Sequence, residues 1–169
     1  MAYDPGMPDG LLPTPLADPT SNADSPRAVV EAFLAALAAG DTDTAGSLVD
    51  DDILYVNVGL PAVRGRAEMD KVFDLLDRPG SGFEVYLHAI SADGPTVLTE
   101  RTDVLAFGRL RMQFWVCGRF EVRAGRITLW RDAFDFVDIL RSAVRGALSM
   151  AVPGLEPAPP RSSDDPPGR

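Results

Sequence analysis

Cysteine and histidine are nearly missing from this chain: Cys117 and His88 are the single members of their types among 169 residues. One cysteine excludes an intrachain disulfide, and the two residues together are too few for a Cys/His zinc site. A Cys–His nucleophilic pair stays formally open. Cys117, however, sits in the apolar run Phe114-Trp115-Val116-Cys117 and reads as an inert core thiol. His88, in Val85-Tyr86-Leu87-His88-Ala89, reads as structural or surface. The chain also lacks a Gly-x-Ser-x-Gly elbow, a Gly-rich phosphate loop ending in Lys-Ser or Lys-Thr, and a Gly-x-Gly-x-x-Gly fingerprint. These absences predict no metal and no cofactor, and they leave any chemistry to carboxylates. No apolar run reaches the length of a membrane-spanning helix. The start, Met1-Ala2-Tyr3-Asp4-Pro5-Gly6, has no basic segment leading into an apolar one. The reading is therefore a cytoplasmic protein with no membrane partner. Basic residues are the minority, 16 Lys and Arg against 25 Asp and Glu, for a net charge of −9. Much of the imbalance lies in the two ends; between them 18 acidic face 14 basic residues. That argues against a nucleic-acid partner.

The length suits one domain with a core of its own. Residues 1–24 are rich in Pro, Gly, Asp and Ser without periodicity, as are the Pro-rich residues 151–169, and both are expected to be disordered tails. The domain between them, 25–150, starts sharply. Ser25-Pro26 is an N-cap followed by proline at the first helical position. Val29, Val30, Phe33, Leu34 and Leu37 then recur at helical spacing up to Gly40. Asp41 caps a short second helix through Leu48, and Asp52–Val58 reads as a strand. Pro61 and Gly65 mark a turn before an amphipathic helix, Arg66–Leu76, with Met69, Val72, Phe73 and Leu76 as its stripe. From Phe83 the period becomes two: Phe83–Ser91, Thr96–Phe107, Arg109–Arg123 and Gly125–Phe136 read as strands joined by tight Gly-containing turns. A last helix spans Val137–Ala147. Helices first and antiparallel strands afterwards indicate an α+β fold. The expectation is a strongly curved mixed sheet with three to four helices on its concave side, a cone around a deep pocket.

Residues two apart on a strand share a face. Tyr55 and Asn57 therefore point together, and so do Arg101 and Asp103. Asp132 shares its side with Trp130 and Phe134, which prefer an interior. A lone strand carboxylate ordinarily belongs to the solvated face of a sheet. One flanked by aromatic rings must instead be paired or hydrogen-bonded, because desolvating it is expensive. Arg101, with its planar fork, is the natural partner for both Asp103 and Asp132. Leu54, Val56 and Val58 read as the packed side of their strand. Met112, Phe114 and Val116, or their alternates, read as apolar residues of the sheet's outer face.

The set Tyr55-x-Asn57, Arg101-x-Asp103 and Asp132 within Leu129-Trp130-Arg131-Asp132 resembles the active-site pattern of the limonene epoxide hydrolases. The likeness covers roughly residues 25–150. These enzymes share their cone with the wider nuclear-transport-factor-2-like and ketosteroid-isomerase-like superfamily. The resemblance implies one-step addition of water to an epoxide, giving a vicinal diol. In that scheme Asp132 is the general base, holding a water together with Tyr55 and Asn57. Asp103 is the general acid, and Arg101 bridges the two carboxylates. It also implies a homodimer formed through the sheet. Candidate wall residues are Leu34, Leu37, Leu76, Leu105, Phe134 and Phe136, each of which could equally be simple core. Such a wall suits a small apolar epoxide of terpene, cycloalkene or lipid type. Two other readings use the same cone. An isomerase or cyclase would need one base and leaves the Arg101–Asp103 pair unexplained. A non-catalytic binding domain for an apolar ligand would leave the polar set scattered or exposed.

Overall fold

A computed structural model describes residues 25–149; the predicted tails lie outside the described residues. Helix α1 (Pro26–Ala38) begins where the sequence predicts. The Ser25 hydroxyl accepts from the Ala28 N–H at 3.2 Å, and Pro26 fills the first turn. Its apolar face, Val29, Val30, Phe33, Leu34 and Leu37, is buried. Asp41 caps α2 (Thr42–Ser47) by accepting from the Thr44 N–H at 2.9 Å. The chain continues through β1 (Val49–Asn57), β2 (Val63–Arg64), α3 (Arg66–Leu76), β3 (Ser81–Asp93), β4 (Thr96–Phe107), β5 (Leu110–Arg123), β6 (Arg126–Ala133) and α4 (Phe136–Ser149). The two-residue β2, absent from the sequence reading, pairs antiparallel with β1 across the Pro61 turn.

The six strands form one curled sheet in the order β2-β1-β6-β5-β4-β3. Only β1 and β6 run parallel. That one pairing brings the first strand and the last side by side, so residues far apart in sequence become neighbours. The core fills the concave side. There Phe33 and Leu34 of α1 and Met69 and Phe73 of α3 pack on Val49, Ile53, Phe120, Ile127 and Trp130 of the sheet.

Sheet register overturns two expectations from the sequence and decides a third between its alternatives. In β5, Phe114 pairs with Asp103 and Val116 with Arg101. Phe114, Val116, Gly118, Phe120 and Val122 are buried on the concave side, and Met112 shares their parity. Of the two sets left open for the outer face, it is therefore the alternates of Met112, Phe114 and Val116 that take it, with Trp115, Cys117 and Arg119 turned outward. Cys117 accordingly is exposed and not a core thiol. In β1 the packed side is that of Ile53 and Tyr55; Val58, expected on the packed side, is 45% exposed. The cause is shared. These runs are apolar at both parities, so only pairing with a neighbouring strand decides which parity turns inward.

β6 is shorter than predicted and stops at Ala133, opposite Cys117. Among the described residues the first half of β5 thus has no strand partner on that side. Helix α4 lies along this edge. The Gln113 N–H donates to the Ser142 hydroxyl at 2.7 Å, and Gly146 sits against the Arg111 carbonyl where a Cβ would collide. A helix here takes over the capping of an otherwise open strand edge.

Candidate active site

The chemistry-bearing residues come from three neighbouring stretches of the sheet. In the parallel pair, Tyr55 lies beside Trp130 and Asn57 beside Asp132. On the other side of β6, Asp132 faces Gly118 of β5, and Gly118 in turn faces Thr99 of β4. Thr99, Arg101 and Asp103 alternate inward along β4 and are all buried. The strands thus bring Tyr55, Asn57, Arg101, Asp103 and Asp132 to one place on the concave face.

Arg101 is the hub and is completely buried. Its Nε donates to both oxygens of Asp103, at 2.9 and 3.1 Å. Its Nη2 donates to Oδ2 of Asp132 at 2.6 Å, and its Nη1 to the Thr99 hydroxyl at 3.1 Å. The guanidinium also lies over the Phe120 ring, 5.9 Å from its centroid. This arrangement needs space that only glycine leaves. A Cβ on Gly118 would overlap Arg101 Nη1 and fall 2.5 Å from the Thr99 hydroxyl and 3.1 Å from Oδ1 of Asp132.

One guanidinium and two carboxyls share this buried place, and their protonation follows from it. Burial pushes the Asp103 carboxyl up to about 6; Arg101 opposes the rise and the charge on Asp132 adds to it. Burial also raises Asp132, and Arg101 and then the Trp130 indole pull it back toward the charged form. Burial disfavours the charge on Arg101, but the two carboxylates outweigh burial and hold it protonated. Burial, then the charge of Asp132, raises the Tyr55 phenol, so it stays neutral. Asn57 Nδ2 donates to the Tyr55 hydroxyl at 2.8 Å, which leaves the Asn57 carbonyl and the Tyr55 O–H for other partners. Oδ1 of Asp132 is buried and accepts no hydrogen bond within the described residues. The arrangement can therefore hold one proton on one carboxyl while the other stays basic.

The wall candidates divide. Leu34 and Leu37 are buried in the core beneath α1. Leu76 is half-buried against that core, and Leu105 is half-buried on β4 two residues beyond Asp103. Phe134, past the end of β6, is half-buried and meets Phe114 and Phe136 edge-on, at 6.1 and 5.3 Å between centroids. Phe136 is 49% exposed and rests against Gly59 at the first turn of α4. His88 lies at a bulge in β3 and pairs with the Thr102 hydroxyl at 2.8 Å, apart from the Arg101 cluster. Among the described residues no three His, Cys, Asp or Glu side chains are grouped as metal ligands. The sequence reading missed Thr99 and Gly118. Thr99 could have been found by extending the alternation of Arg101 and Asp103 one step back. Gly118 carries no local signal, because its role exists only once β5 lies between β4 and β6.

Residues 24–145 match the family model for the limonene-1,2-epoxide hydrolase catalytic domain. The chain is 51% identical over 129 residues to the epoxide hydrolase EphG of Mycobacterium tuberculosis, covering 75% of this chain and 85% of that protein. A solved M. tuberculosis epoxide hydrolase described as like the limonene enzymes superposes with a TM-score of 0.75 at 47% identity, over 79% of this chain and 95% of the other. A putative ketosteroid isomerase from Kribbella flavida, at 19% identity, shares the fold with a TM-score of 0.55 over 65% of this chain and 77% of its own. The chain therefore belongs to the limonene-1,2-epoxide hydrolase family and is an epoxide hydrolase on a ketosteroid-isomerase-like fold.

Proposed function

We propose that this epoxide hydrolase opens an apolar epoxide in one step, by direct attack of water, with Asp132 as base and Asp103 as acid. The observation that carries this reading is Arg101, buried and hydrogen-bonded to both carboxylates at once. Epoxide opening needs a nucleophile at carbon and a proton at oxygen in the same transition state. Asp132 Oδ1 takes one proton from the water, and the free carbonyl of Asn57 and the Tyr55 hydroxyl orient it. As the water oxygen bonds to carbon, the C–O bond breaks and the leaving oxygen takes the Asp103 proton. Burial raises both carboxyls, so the pair is suited to arrive holding one proton, which this reading places on Asp103. Arg101 keeps its charge throughout and screens the second carboxylate as it forms. Proton transfer through Arg101-held carboxyls then returns the pair to its starting state.

The substrate is proposed to be apolar because the half-buried residues two positions beyond the carboxylates, Leu105 after Asp103 and Phe134 after Asp132, carry no charge. We further propose a homodimer through the outer face of the sheet and residence in the cytoplasm. A free exposed thiol at Cys117 fits a reducing compartment. Sedimentation and cell fractionation test these two points.

The decisive experiment on the mechanism is Asp132→Asn and Asp103→Asn, assayed on a panel of terpene, cycloalkene and lipid epoxides. Each variant is expected to lose at least about 100-fold in kcat and to keep the wild-type circular dichroism. If one of the two retains wild-type turnover, the two-carboxylate mechanism fails and the one-base chemistry of an isomerase-like site takes its place.

A further inference from the structure

Arg101 bonds to both aspartates, to Asp103 through Nε and to Asp132 through Nη2; one of them must stay charged while the other keeps a proton, and a second donor on one side alone favours that side as the charged one. We propose that Trp130 makes this distinction, acting as a positioning residue whose indole N–H holds Oδ1 of Asp132 and so assigns Asp132 the part of base. The inference rests on the reading of Asp132 as base given above.

Trp130 is 5% exposed. Its ring meets Phe33 edge-on at 5.1 Å, stacks with Phe120 at 6.1 Å and lies 4.2 Å from the Tyr55 ring. All of these contacts serve the apolar body of the side chain, and none uses the N–H. A phenylalanine would make them without burying a donor, and a buried unpaired donor destabilises a fold. Such groups are rare and ask for a reason.

Among the described residues two buried side-chain polar atoms accept or donate no hydrogen bond: Trp130 Nε1 and Asp132 Oδ1. One is a donor and the other an acceptor. They lie two residues apart on β6 and so on the same face of the sheet. The other oxygen of Asp132, Oδ2, is already held by Arg101 at 2.6 Å. A small rotation of the carboxylate against the indole edge gives each oxygen its own donor. That fixes the carboxylate plane and leaves a lone pair on Oδ1 for the proton of the attacking water. Among the described residues Asp103 has no such neutral donor: both of its oxygens bond to the same Arg101 Nε. The influence of Trp130 on Asp132 is toward the ionised form, as the assignment requires.

The test is Trp130→Phe, with full pH profiles of kcat and KM on the best epoxide of the panel. Loss of one hydrogen bond to a charged group should lower kcat by about three- to tenfold with KM little changed. The diagnostic result is that the acid limb of kcat moves to higher pH, because Asp132 without its donor is easier to protonate. Replacement of Trp130 by the isosteric benzothienylalanine removes the N–H while keeping the bicyclic ring, and is expected to move the same limb. It also decides the matter if Trp130→Phe folds poorly. An unmoved acid limb in the benzothienylalanine protein overturns the proposal and leaves Trp130 as packing alone. Undiminished turnover by Asp132→Asn would instead overturn the reading beneath it, whatever the Trp130 variants do.

Discussion

Gly118→Ala is the sharpest test of how this site is packed. At most strand positions a change from glycine to alanine stabilises, because glycine loses more conformational freedom on folding. Here the added Cβ would enter space already taken by the Arg101 guanidinium, the Thr99 hydroxyl and Oδ1 of Asp132. A flexible side chain could step aside at little cost. Arg101 cannot, because it is fully buried and its bonds to Asp103, Asp132 and Thr99 fix all three of its nitrogens. Overpacking costs about 1–3 kcal/mol. Losing one charge-assisted bond from the displaced guanidinium adds about 1.5–3 kcal/mol. Together these are a large part of the 5–15 kcal/mol that typically holds a domain. Urea unfolding of the variant should show a midpoint lowered by an amount equivalent to about 3–5 kcal/mol at unchanged slope. Turnover measured where the variant is still folded should fall at least about tenfold. A variant with wild-type midpoint and wild-type turnover would show that Arg101 does not sit beneath Gly118, and the geometry of the cluster would be wrong.

Other outcomes follow from the same structure. Epoxide turnover should be bell-shaped in pH, with an alkaline limb from loss of the proton that the Asp103–Asp132 pair holds, both carboxyls being raised by burial; a flat profile from pH 5 to 9 would contradict the assigned acid. That carboxyl also has a stability signature. Folding raises it from 3.8 to about 6, so the native state holds more protons than the unfolded chain across that window. Its contribution therefore declines by about 3 kcal/mol as pH rises through it. Urea titrations at several pH values, wild type against Asp103→Asn, should show the steeper fall in the wild type, since Asp132, also raised by burial, contributes in the same sense to both. Arg101→Lys should lose at least about 100-fold in kcat, since an ammonium cannot fork to both carboxylates; near-normal turnover would mean that charge alone suffices. Ala124, in the two-residue turn between β5 and β6, has φ +48°. Ala124→Asn should add about 0.5–1 kcal/mol to stability, read as a raised melting temperature, and an unchanged or lower one would argue against strain there.

Much of the fold was legible in the sequence because its signals are local. Ser25-Pro26 and Asp41 announce helix starts through a hydroxyl or carboxylate that meets free N–H groups. The Gly94, Gly108 and Gly125 turns all adopt positive φ, as tight hairpins demand. The five polar residues of the cluster were legible by alternation combined with the cost of burying charge among aromatic side chains. What escaped depends on pairing between strands. Phe114-Trp115-Val116-Cys117 is apolar at both parities, and only the register of β4 with β5 turns Cys117 outward. Gly118 has no side chain to betray a role, yet it admits the guanidinium on which the two carboxylates depend. Leu34 and Leu37 cannot be told from wall residues by spacing alone, and the packing of α1 assigns them to the core.

The central claim is that water, and not an enzyme carboxylate, attacks the epoxide carbon. Single-turnover hydrolysis in oxygen-18 water, with enzyme in excess and the diol analysed by mass spectrometry, tests it most directly. The account predicts one labelled oxygen in the diol of the first turnover. Unlabelled diol, its new oxygen drawn from a protein carboxylate that becomes labelled on later release, would contradict it and require a covalent ester on Asp132 or Asp103.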